Sequence, residues 1–512
     1  MLPPYYLDQM PDAFVQLWQQ VEDEILQDVA RRIGKMDAVT ATANWQLWRY
    51  QQTEALRNDV VKLLAKYTGK SESTIRRLLL QAATEAMERE DAIYYHYGKE
   101  PQPFEESAAL NNLLDAGARQ TCGTWQNITA TTANTVTGAF ERTLDAAWGK
   151  VSTGAFDYKT AVKQAVDSLA DDMPMVTYPS GHKDSIEVAA RRAVLTGVNQ
   201  TAGRLQVARA DEMGVEFFET TAHGGARPSH AEWQGRQFHR GGAVDYMGKH
   251  SPDFDAATGY GTGAGLCGWN CRHTFFAVFP ELGDPPQWTQ EQLRELNARD
   301  IEWNGKKYTA YEISQMQRAR ERNVRKWKKR YLAESAAGSD TTDSAVRLKA
   351  ARQSLAEFAN ATGGRVDSAR VSVPKFGRSE ASRANWAAKD YEKQQKDAII
   401  IENLRTAAKL PKAAVIHLEP TKINVDALTF DDAHINAERE HRVSEEQAKQ
   451  YIRNAKISVS VWNGQFERYY GTEGAAYVNT IKHEIRTAYS RAEFDENTTA
   501  LIEEMKKNGI LG

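Results

Sequence analysis

The stretch from residue 222 to residue 280 constrains the fold of this chain more than any other. It is rich in glycine, histidine and tryptophan, and neither helical nor strand periodicity runs through it. A loop this long inside a compact region is usually functional, or is held in place by something other than apolar burial. The sequence therefore predicts a fixed but irregular segment whose polar side chains carry its purpose.

Residues 1–184 are predicted to form a helical region. Apolar residues recur at steps of three and four over 14–33 and again over 56–67, which is the pattern of a helix with one buried face. Gly69 is expected to close the second of these helices. The Ala- and Thr-rich segment 111–149 predicts tight contacts between helices through small residues.

The rest of the chain divides by pattern into a His/Cys-rich core at 185–282, a hairpin and basic helix at 283–340, a helix and linker at 341–425, and a C-terminal domain at 426–512. In that last part, apolar and polar residues alternate over 457–461 and Asn463-Gly464 favours a hairpin turn. The predicted fold is mainly α with a small loop-rich α+β middle region. A separate C-terminal α+β domain carries a four-stranded antiparallel sheet.

Charge and cysteine content limit the class of protein. The 512 residues include 65 Lys and Arg and 68 Asp and Glu, a net charge of −3, which argues against coating nucleic acid through overall charge. Three cysteines are too few for a secreted disulfide scaffold, and the odd number indicates a reducing compartment. No signal peptide or bilayer-spanning apolar stretch is visible, so we expect a soluble protein without a membrane partner.

Zinc binding is one interpretation of the irregular segment. Cys267 and Cys271 form a Cys-x3-Cys pair with His273 two residues further on, a spacing at which thiolate and imidazole hold zinc. A further ligand would come from a histidine on the preceding loops: His223, His230 or His239. The alternative is two buried free cysteines and a histidine that makes ordinary hydrogen bonds. No cofactor other than this structural zinc is expected.

Catalysis by the same segment is a further alternative. A metal-dependent hydrolase would need the metal and an open coordination position. A catalytic Cys/His pair has little support, because no oxyanion arrangement can be recognised. Neither a Walker A sequence nor a G-x-G-x-x-G after a strand is present, so a nucleotide-driven motor is unsupported.

Three runs of residues, Ala222–Gly235, Gly259–Gly263 and Leu266–His273, together resemble the tailed-phage minor capsid proteins of the minor capsid protein 2 group. This group is related to the Mu-type head morphogenesis proteins. The resemblance covers roughly residues 1–375 and is strongest over 185–332. The recurring motif residues in this chain are Arg227, Ser229, His230, Trp233, Gly235, Cys267, Asn270, Cys271 and His273.

This resemblance implies a low-copy structural protein of the virion head, assembled in the host cytoplasm in association with the portal protein. Other head proteins and the DNA backbone are further implied partners. The basic helix over 309–332 is expected to meet an acidic partner or phosphate, and its alternative role is a solvated face. The residues predicted to bind the partner are Arg322, Arg325, Lys326 and Lys329.

The C-terminal domain resembles the barnase/EndoU/colicin/RelE-like nucleases, which occur fused to phage head proteins of this kind. The resemblance implies metal-independent cleavage of host RNA. His434 or His441 would act as acid or base, Arg486 would neutralise the phosphorane, and Thr487 and Tyr489 would donate hydrogen bonds. The alternative is that the two histidines lie on the surface and Tyr489 lies in the core.

Two features of this domain test the nuclease interpretation. His434 and His441 are seven residues apart, so on one helix they would share a face. Strand alternation places Arg486 and Thr487 on opposite faces unless a bulge redirects one of them. Glu438-Arg-Glu440 also fits the Glu-x-Glu of ADP-ribosyltransferases, but it precedes the strands and lies on a predicted helix.

Overall fold

The computed structural model describes residues 2–36, 42–172, 175–178 and 180–511. The chain forms two compact units, Met1–Ala387 and Ala388–Gly512. The first unit is mainly helical with small sheets, and the second is α+β, as predicted.

Long helices build most of the first unit. Their bounds, with those of the short helices between them, are α1 Pro4–Gln9, α2 Asp12–Gly34, α3 Thr42–His96, α4 Ala108–Ser152, α5 Tyr158–Asp172, α6 Ile186–Met213, α7 Pro228–Ala231, α8 Phe254–Thr258, α9 Gln290–Leu296, α10 Ala310–Ala336, α11 Thr342–Ala361 and α12 Ser368–Val371. A further helix, α13 Arg378–Ala407, begins in this unit, and its residues from 388 onward belong to the second.

The apolar stripe of α2 is buried as predicted, with Phe14 and Trp18 fully enclosed and packed against Trp125 of α4. The expected helix end at Gly69 is wrong, because α3 continues through it. Trp18 Nε1 donates a hydrogen bond of 2.9 Å to Ser71 Oγ, which itself donates to the Tyr67 carbonyl. Ser71 is therefore part of a packed helix face, and tertiary packing outweighs the low helix propensity of one glycine.

Helices α4 and α6 approach each other through small residues, as the Ala- and Thr-rich segment predicted. A Cβ added to Gly117 of α4 would lie 2.3 Å from Thr201 Oγ1 on α6. The contact is reciprocal, since a Cβ on Gly197 of α6 would lie 2.3 Å from Thr121 Oγ1. The two helix backbones are thus held closer than any other residue type allows.

Replacing Gly117 with alanine is therefore expected to destabilise the protein by about 1–3 kcal/mol, because the methyl group overpacks the contact with Thr201. Gly123 on the same helix is the matched control. Nothing lies within 4 Å of its added Cβ, so Gly123→Ala is expected to stabilise by about 0.5–1 kcal/mol through helix propensity. Chemical denaturation of the full chain measures both, and equal effects would contradict the close contact.

Small sheets and hairpins occupy the middle of the first unit. Strand β3 (Phe217–Thr220) pairs with β4 (Gln237–His239) on one side and with β7 (Phe275–Ala277) on the other. The remaining strands form antiparallel pairs: β1 (Val176–Thr177) with β2 (Lys183–Asp184), β5 (Val244–Tyr246) with β6 (Lys249–Ser251), and β8 (Arg299–Trp303) with β9 (Lys306–Thr309). A cluster of buried aromatic rings, Phe218, Phe254 and Phe275, packs between the three-stranded sheet and the loops.

The second unit contains a six-stranded sheet rather than the predicted four-stranded one. The predicted meander is present as β12 (Ile457–Val461), β13 (Phe466–Tyr470), β14 (Gly474–Asn479) and β15 (Glu484–Ser490). Strand β10 (Val415–His417) adds antiparallel to β12, and β11 (Thr429–Phe430) adds parallel to β15. The prediction omitted these two strands from the sheet because β10 lies before residue 426, the predicted start of the domain, and because the two residues of β11 are too few for alternation to reveal.

Both faces of this sheet are covered. Leu404 of α13 and Leu501 of α15 (Glu496–Lys507) pack on one face with Ile457 and Val459. Ile452 of α14 (Glu445–Arg453) packs on the other. The predicted domain start at 426 therefore lies inside the unit, because α13 and β10 contribute to its core before that residue.

Candidate functional sites

The irregular segment is tied to helix α6 by one buried side chain. Asn199 Nδ2 donates to the carbonyls of Cys271 and His273, each at 3.0 Å. The turn that leads into this loop is so tight that a Cβ on Gly265 would lie 2.0 Å from the Gly259 carbonyl oxygen. Cys267 and Asn270 both adopt positive φ, at 60° and 53°. The backbone is therefore fixed, and the side chains it carries have defined directions.

Two of the predicted metal ligands, Cys271 and His273, lie together with His230, one of the three histidines considered as a further ligand. His230 Nδ1 is 3.4 Å from His273 Nδ1, and Cys271 Sγ is 3.7 Å from each of these nitrogens. All three side chains are buried, with at most 2% of each residue exposed. Within the described residues, this trio is the group of His, Cys, Asp and Glu side chains that satisfies the geometry of a metal site.

Cys267, the fourth predicted ligand, is not part of this group. Its thiol lies 3.8 Å from the His273 carbonyl oxygen and packs in the aromatic cluster, where a Cβ on Gly203 would lie 3.3 Å from its sulfur. Cys267 therefore lies outside the cluster formed by His230, Cys271 and His273.

The ring nitrogens that point away from the trio have acceptors. His230 Nε2 lies 2.9 Å from the Ala264 carbonyl oxygen, and His273 Nε2 lies 3.0 Å from Gln234 Oε1. The amide of Gln234 is itself oriented, because its Oε1 accepts from the His223 backbone N–H and its Nε2 donates to Asn297 Oδ1. Both Nε2 atoms are therefore protonated donors, and both Nδ1 atoms carry lone pairs.

Burial keeps these groups neutral. Desolvation lowers the pKa of His230 and His273, and it lowers that of the neighbouring His223 to about 4. Desolvation raises the pKa of the Cys271 thiol. Neutral imidazoles are the form that binds metal ions, whereas a thiol must lose its proton to do so.

The trio opens onto a cavity of 470 Å³ with an unusual lining. Seven arginines and four carboxylates contribute to its wall: Arg191, Arg227, Arg272, Arg318, Arg322, Arg325, Arg370, Asp8, Asp12, Glu187 and Glu321. Several of the arginines are paired, as Arg191 is with Asp12 and Arg370 is with Asp8. Burial lowers the pKa of Arg318 to about 10. The arginines outnumber the carboxylates, so the wall of the cavity has a net positive charge.

The other motif residues mainly shape this region. Arg227 donates to the Trp269 carbonyl at 2.8 Å, and Asn270 lines the cavity. Trp233 packs its ring against His230 and His273. Gly235 has φ of 65°, and an added Cβ would lie 2.7 Å from Leu293. Ser229 lies exposed in α7.

The basic helix, α10, directs two of the four predicted partner-binding residues, Arg325 and Lys329, inward. Arg325 pairs with Glu187 of α6 and Lys329 pairs with Glu22 of α2. Lys326 pairs with Asp171 of α5 at 3.1 Å. Within the described residues, Arg322 is the member of the predicted set that has no carboxylate partner, and it is exposed. The positive charge of this helix is used largely to hold the helical body together.

In the second unit, the predicted catalytic residues fall into two neighbouring groups. His434 Nδ1 lies 2.6 Å from Glu438 Oε2, and its backbone N–H donates to Asp431, whose carboxylate also pairs with Arg486. His441 Nδ1 lies 3.0 Å from Glu493 Oε1, and its ring packs 5.6 Å from that of Tyr489.

The expectation that the two histidines share a helix face is wrong. The π-helical turn Ala433–Glu438 ends before His441, and positive φ at Glu440 and Arg442 reverses the chain. The bulge that the nuclease interpretation required is present. Tyr477 pairs with Thr487 while Val478 pairs with Ile485, which leaves Arg486 as the extra residue.

Strand β15, which carries Arg486, also carries Tyr489, and the hydroxyl of Tyr489 is the last in a row of three tyrosine hydroxyls. Tyr470 Oη lies 3.2 Å from Tyr477 Oη, which lies 2.7 Å from Tyr489 Oη. Glu438 of the Glu-x-Glu sequence is the partner of His434 and lies before the meander, as the sequence indicated. Sequence reasoning missed Gln234, Asp431 and Glu493, which orient site histidines or Arg486.

Comparison with known proteins supports the sequence resemblance over the first unit. The family described as Phage minor capsid protein 2 matches residues 2–360. The chain is 27% identical over 245 residues to a curated protein named Structural protein from Lactococcus phage LL-H. That match covers 45% of this chain and 61% of the relative, so it spans about three fifths of the relative's length. No solved structure matches the chain.

A helix that crosses a bilayer must be both long and apolar. Across the described ranges, none combines the length and apolar character needed to cross a bilayer.

Proposed function

Since this chain belongs to the phage minor capsid protein 2 family, and is thus a structural protein of the virion, we propose that it docks on the portal protein while the head assembles in the host cytoplasm. The observation that carries this proposal is the family match over residues 2–360, nearly the whole first unit. Other head proteins are natural further partners. Binding to the DNA backbone has less support, because internal carboxylates neutralise much of the basic helix.

Arg322, near the middle of the basic helix, is the part of the predicted interface that stays open to a partner. Arg322 is expected to contribute to portal binding, so Arg322→Glu should weaken it and raised salt should weaken the wild-type contact. Lys62→Glu is the control, since Lys62 is exposed on α3 and the charge change is the same. Co-sedimentation of the full chain with portal oligomers measures both. Equal binding by Arg322→Glu and wild type would remove α10 from the interface.

We propose a second function for the C-terminal unit, namely ribonuclease activity on host RNA without metal. Two histidines each pair with a carboxylate, His434 with Glu438 and His441 with Glu493, in the arrangement that orients an imidazole as an acid or base. The bulge at Arg486 supports the proposal, because it relieves the alternation that would separate Arg486 from Thr487. The side chain of Arg486 is 43% exposed, which leaves it open to a phosphate.

The tyrosine row supplies the remaining groups of this proposal. Tyr489 Oη lies at the end of the row and its ring contacts His441, so a hydroxyl donor and an imidazole are neighbours. Such a set provides proton transfer and charge stabilisation at a phosphodiester without a metal ion. Cleavage of RNA by the full chain in the presence of a chelator is the direct test.

A further inference from the structure

We infer that His230, Cys271 and His273 bind a zinc ion through Nδ1, Sγ and Nδ1, and that its fourth coordination position opens onto the arginine-lined cavity and accepts an oxyanion. This inference does not depend on portal docking or on RNA cleavage. It rests on the spacing of the three atoms, on the hydrogen bonds that orient the imidazoles, and on the cavity lining.

The interatomic distances are those of a tetrahedral site. With Zn–S of about 2.3 Å and Zn–N of about 2.0 Å, tetrahedral angles place sulfur about 3.5 Å from nitrogen and two nitrogens about 3.3 Å apart. The observed distances are 3.7 Å for both sulfur–nitrogen pairs and 3.4 Å between the two Nδ1 atoms. Zinc therefore fits between the three atoms with only small adjustments.

Hydrogen bonding alone does not satisfy this group. Both Nε2 atoms donate, His230 to the Ala264 carbonyl and His273 to Gln234, so both Nδ1 atoms present lone pairs to each other. The Cys271 thiol has one proton and can donate to only one of them. A cation bound to the thiolate and both imidazoles satisfies all three atoms, and its absence leaves a buried acceptor without a donor.

The surrounding hydrogen bonds resemble those that support metal ligands in other proteins. Metal-binding histidines usually donate their second ring N–H to a carbonyl or carboxylate, which fixes the ring and its tautomer. Here, the Leu293 carbonyl accepts from Asn297 Nδ2, and Asn297 Oδ1 accepts from Gln234 Nε2. Gln234 Oε1 is thereby turned toward His273. The orientation of this ring is therefore set by a chain of contacts that ends on the backbone.

Three protein ligands leave one tetrahedral position, and the cavity is where it opens, because all three ligand residues line that space. Arg318 and Arg322 line the same cavity and, in the described part of the chain, neither pairs with a carboxylate. The guanidinium groups of Arg318 and Arg322 would stabilise a negatively charged oxygen ligand on the metal. Inorganic phosphate is a suitable probe for such a ligand.

The decisive comparison is between the two cysteines of the loop. The full chain, purified without chelator, is expected to contain about one zinc ion, and Cys267→Ser is expected to retain it. Cys271→Ser is expected to lose at least about tenfold in zinc affinity, the scale on which a perturbed zinc site weakens. Elemental analysis with a competing chelator measures this. Equal zinc retention in the two variants, or equal loss from both, would overturn the ligand assignment.

Cobalt substitution tests the wild-type protein without relying on any variant to fold. Co²⁺ in the full chain is expected to give the strong visible bands of a tetrahedral site and a near-ultraviolet thiolate-to-cobalt band. Added inorganic phosphate is expected to shift the visible bands, and Arg318→Gln is expected to weaken that response. Missing thiolate bands would overturn the site. Bands that phosphate leaves unchanged would overturn the open position.

Discussion

The Lys329→Met variant is expected to lose about 3–5 kcal/mol of unfolding free energy at pH 8, because it removes one partner of a buried ion pair. Lys329 pairs with Glu22, and Asp23 and Glu187 lie near enough to act on its charge. These three carboxyl groups are buried. Without the ammonium group, negative charges stay in the interior of the helical body with less compensation.

The loss should be smaller at pH 5 than at pH 8. Burial already raises the pKa of Asp23 to about 7, even though Lys329 opposes that shift. Removal of Lys329 takes away the charge that opposes this shift, which raises the native-state pKa of Asp23 further, so the folded protein binds more protons than the unfolded chain at mildly acidic pH. Stability then rises as pH falls toward the unfolded-state pKa values near 4.

Lys326→Met is the matched control, since it lies on the same helix and removes the same charge. The side chain of Lys326 is 40% exposed, and its ion pair with Asp171 is of the surface kind, which contributes about 0–1 kcal/mol. Denaturant unfolding of the full chain at the two pH values measures both variants. A similar small loss in both would mean that Lys329 is solvated, and would restore this part of the helix as a candidate partner surface.

The His434→Ala variant is expected to reduce RNA cleavage by the full chain on the order of 100-fold or more, the usual scale for loss of a general acid or base. His434 is held by Glu438, and Asp431 links its backbone to Arg486. Arg486→Gln should also reduce turnover, because it removes the charge proposed to stabilise the phosphorane.

The control for this experiment is His483→Asn. His483 is exposed and has φ of 49°, a conformation that asparagine tolerates better than alanine. The assay uses a labelled RNA with chelator present, so that metal-dependent contaminants are silent. An inactive wild-type chain, or a His434→Ala variant as active as the His483 control, would make the C-terminal unit a structural appendage.

Local sequence patterns predicted the helices and strands of this protein better than they predicted which elements pack against one another. The stripe over 14–33 was confirmed, because one buried face of a helix is encoded at a fixed period. The strand over 457–461 is also present, although Ser458 is buried along with the apolar residues because both faces of the sheet are covered. The continuation of α3 through Gly69 was not predictable, since it depends on packing against Trp18, distant in sequence.

The candidate sites show the same difference between residues that local spacing predicts and contacts that depend on the whole fold. Spacing found Cys271 and His273, which lie together with His230, but the placement of Cys267 outside this group depends on its packing in the aromatic cluster, which sequence alone did not reveal. The basic residues of α10 were recognised, yet their carboxylate partners come from α2, α5 and α6. A charge run on one helix therefore says little about solvent exposure until the rest of the fold is known.

The two short strands at the edges of the C-terminal sheet affect how readily this unit can aggregate at high protein concentration. The sheet is bordered by β10, three residues long, and by β11, two residues long. Long unpaired edges invite strand addition from a neighbouring molecule, whereas such brief borders offer few free N–H and C=O groups. The C-terminal unit is therefore expected to resist strand addition from neighbouring molecules at high protein concentration.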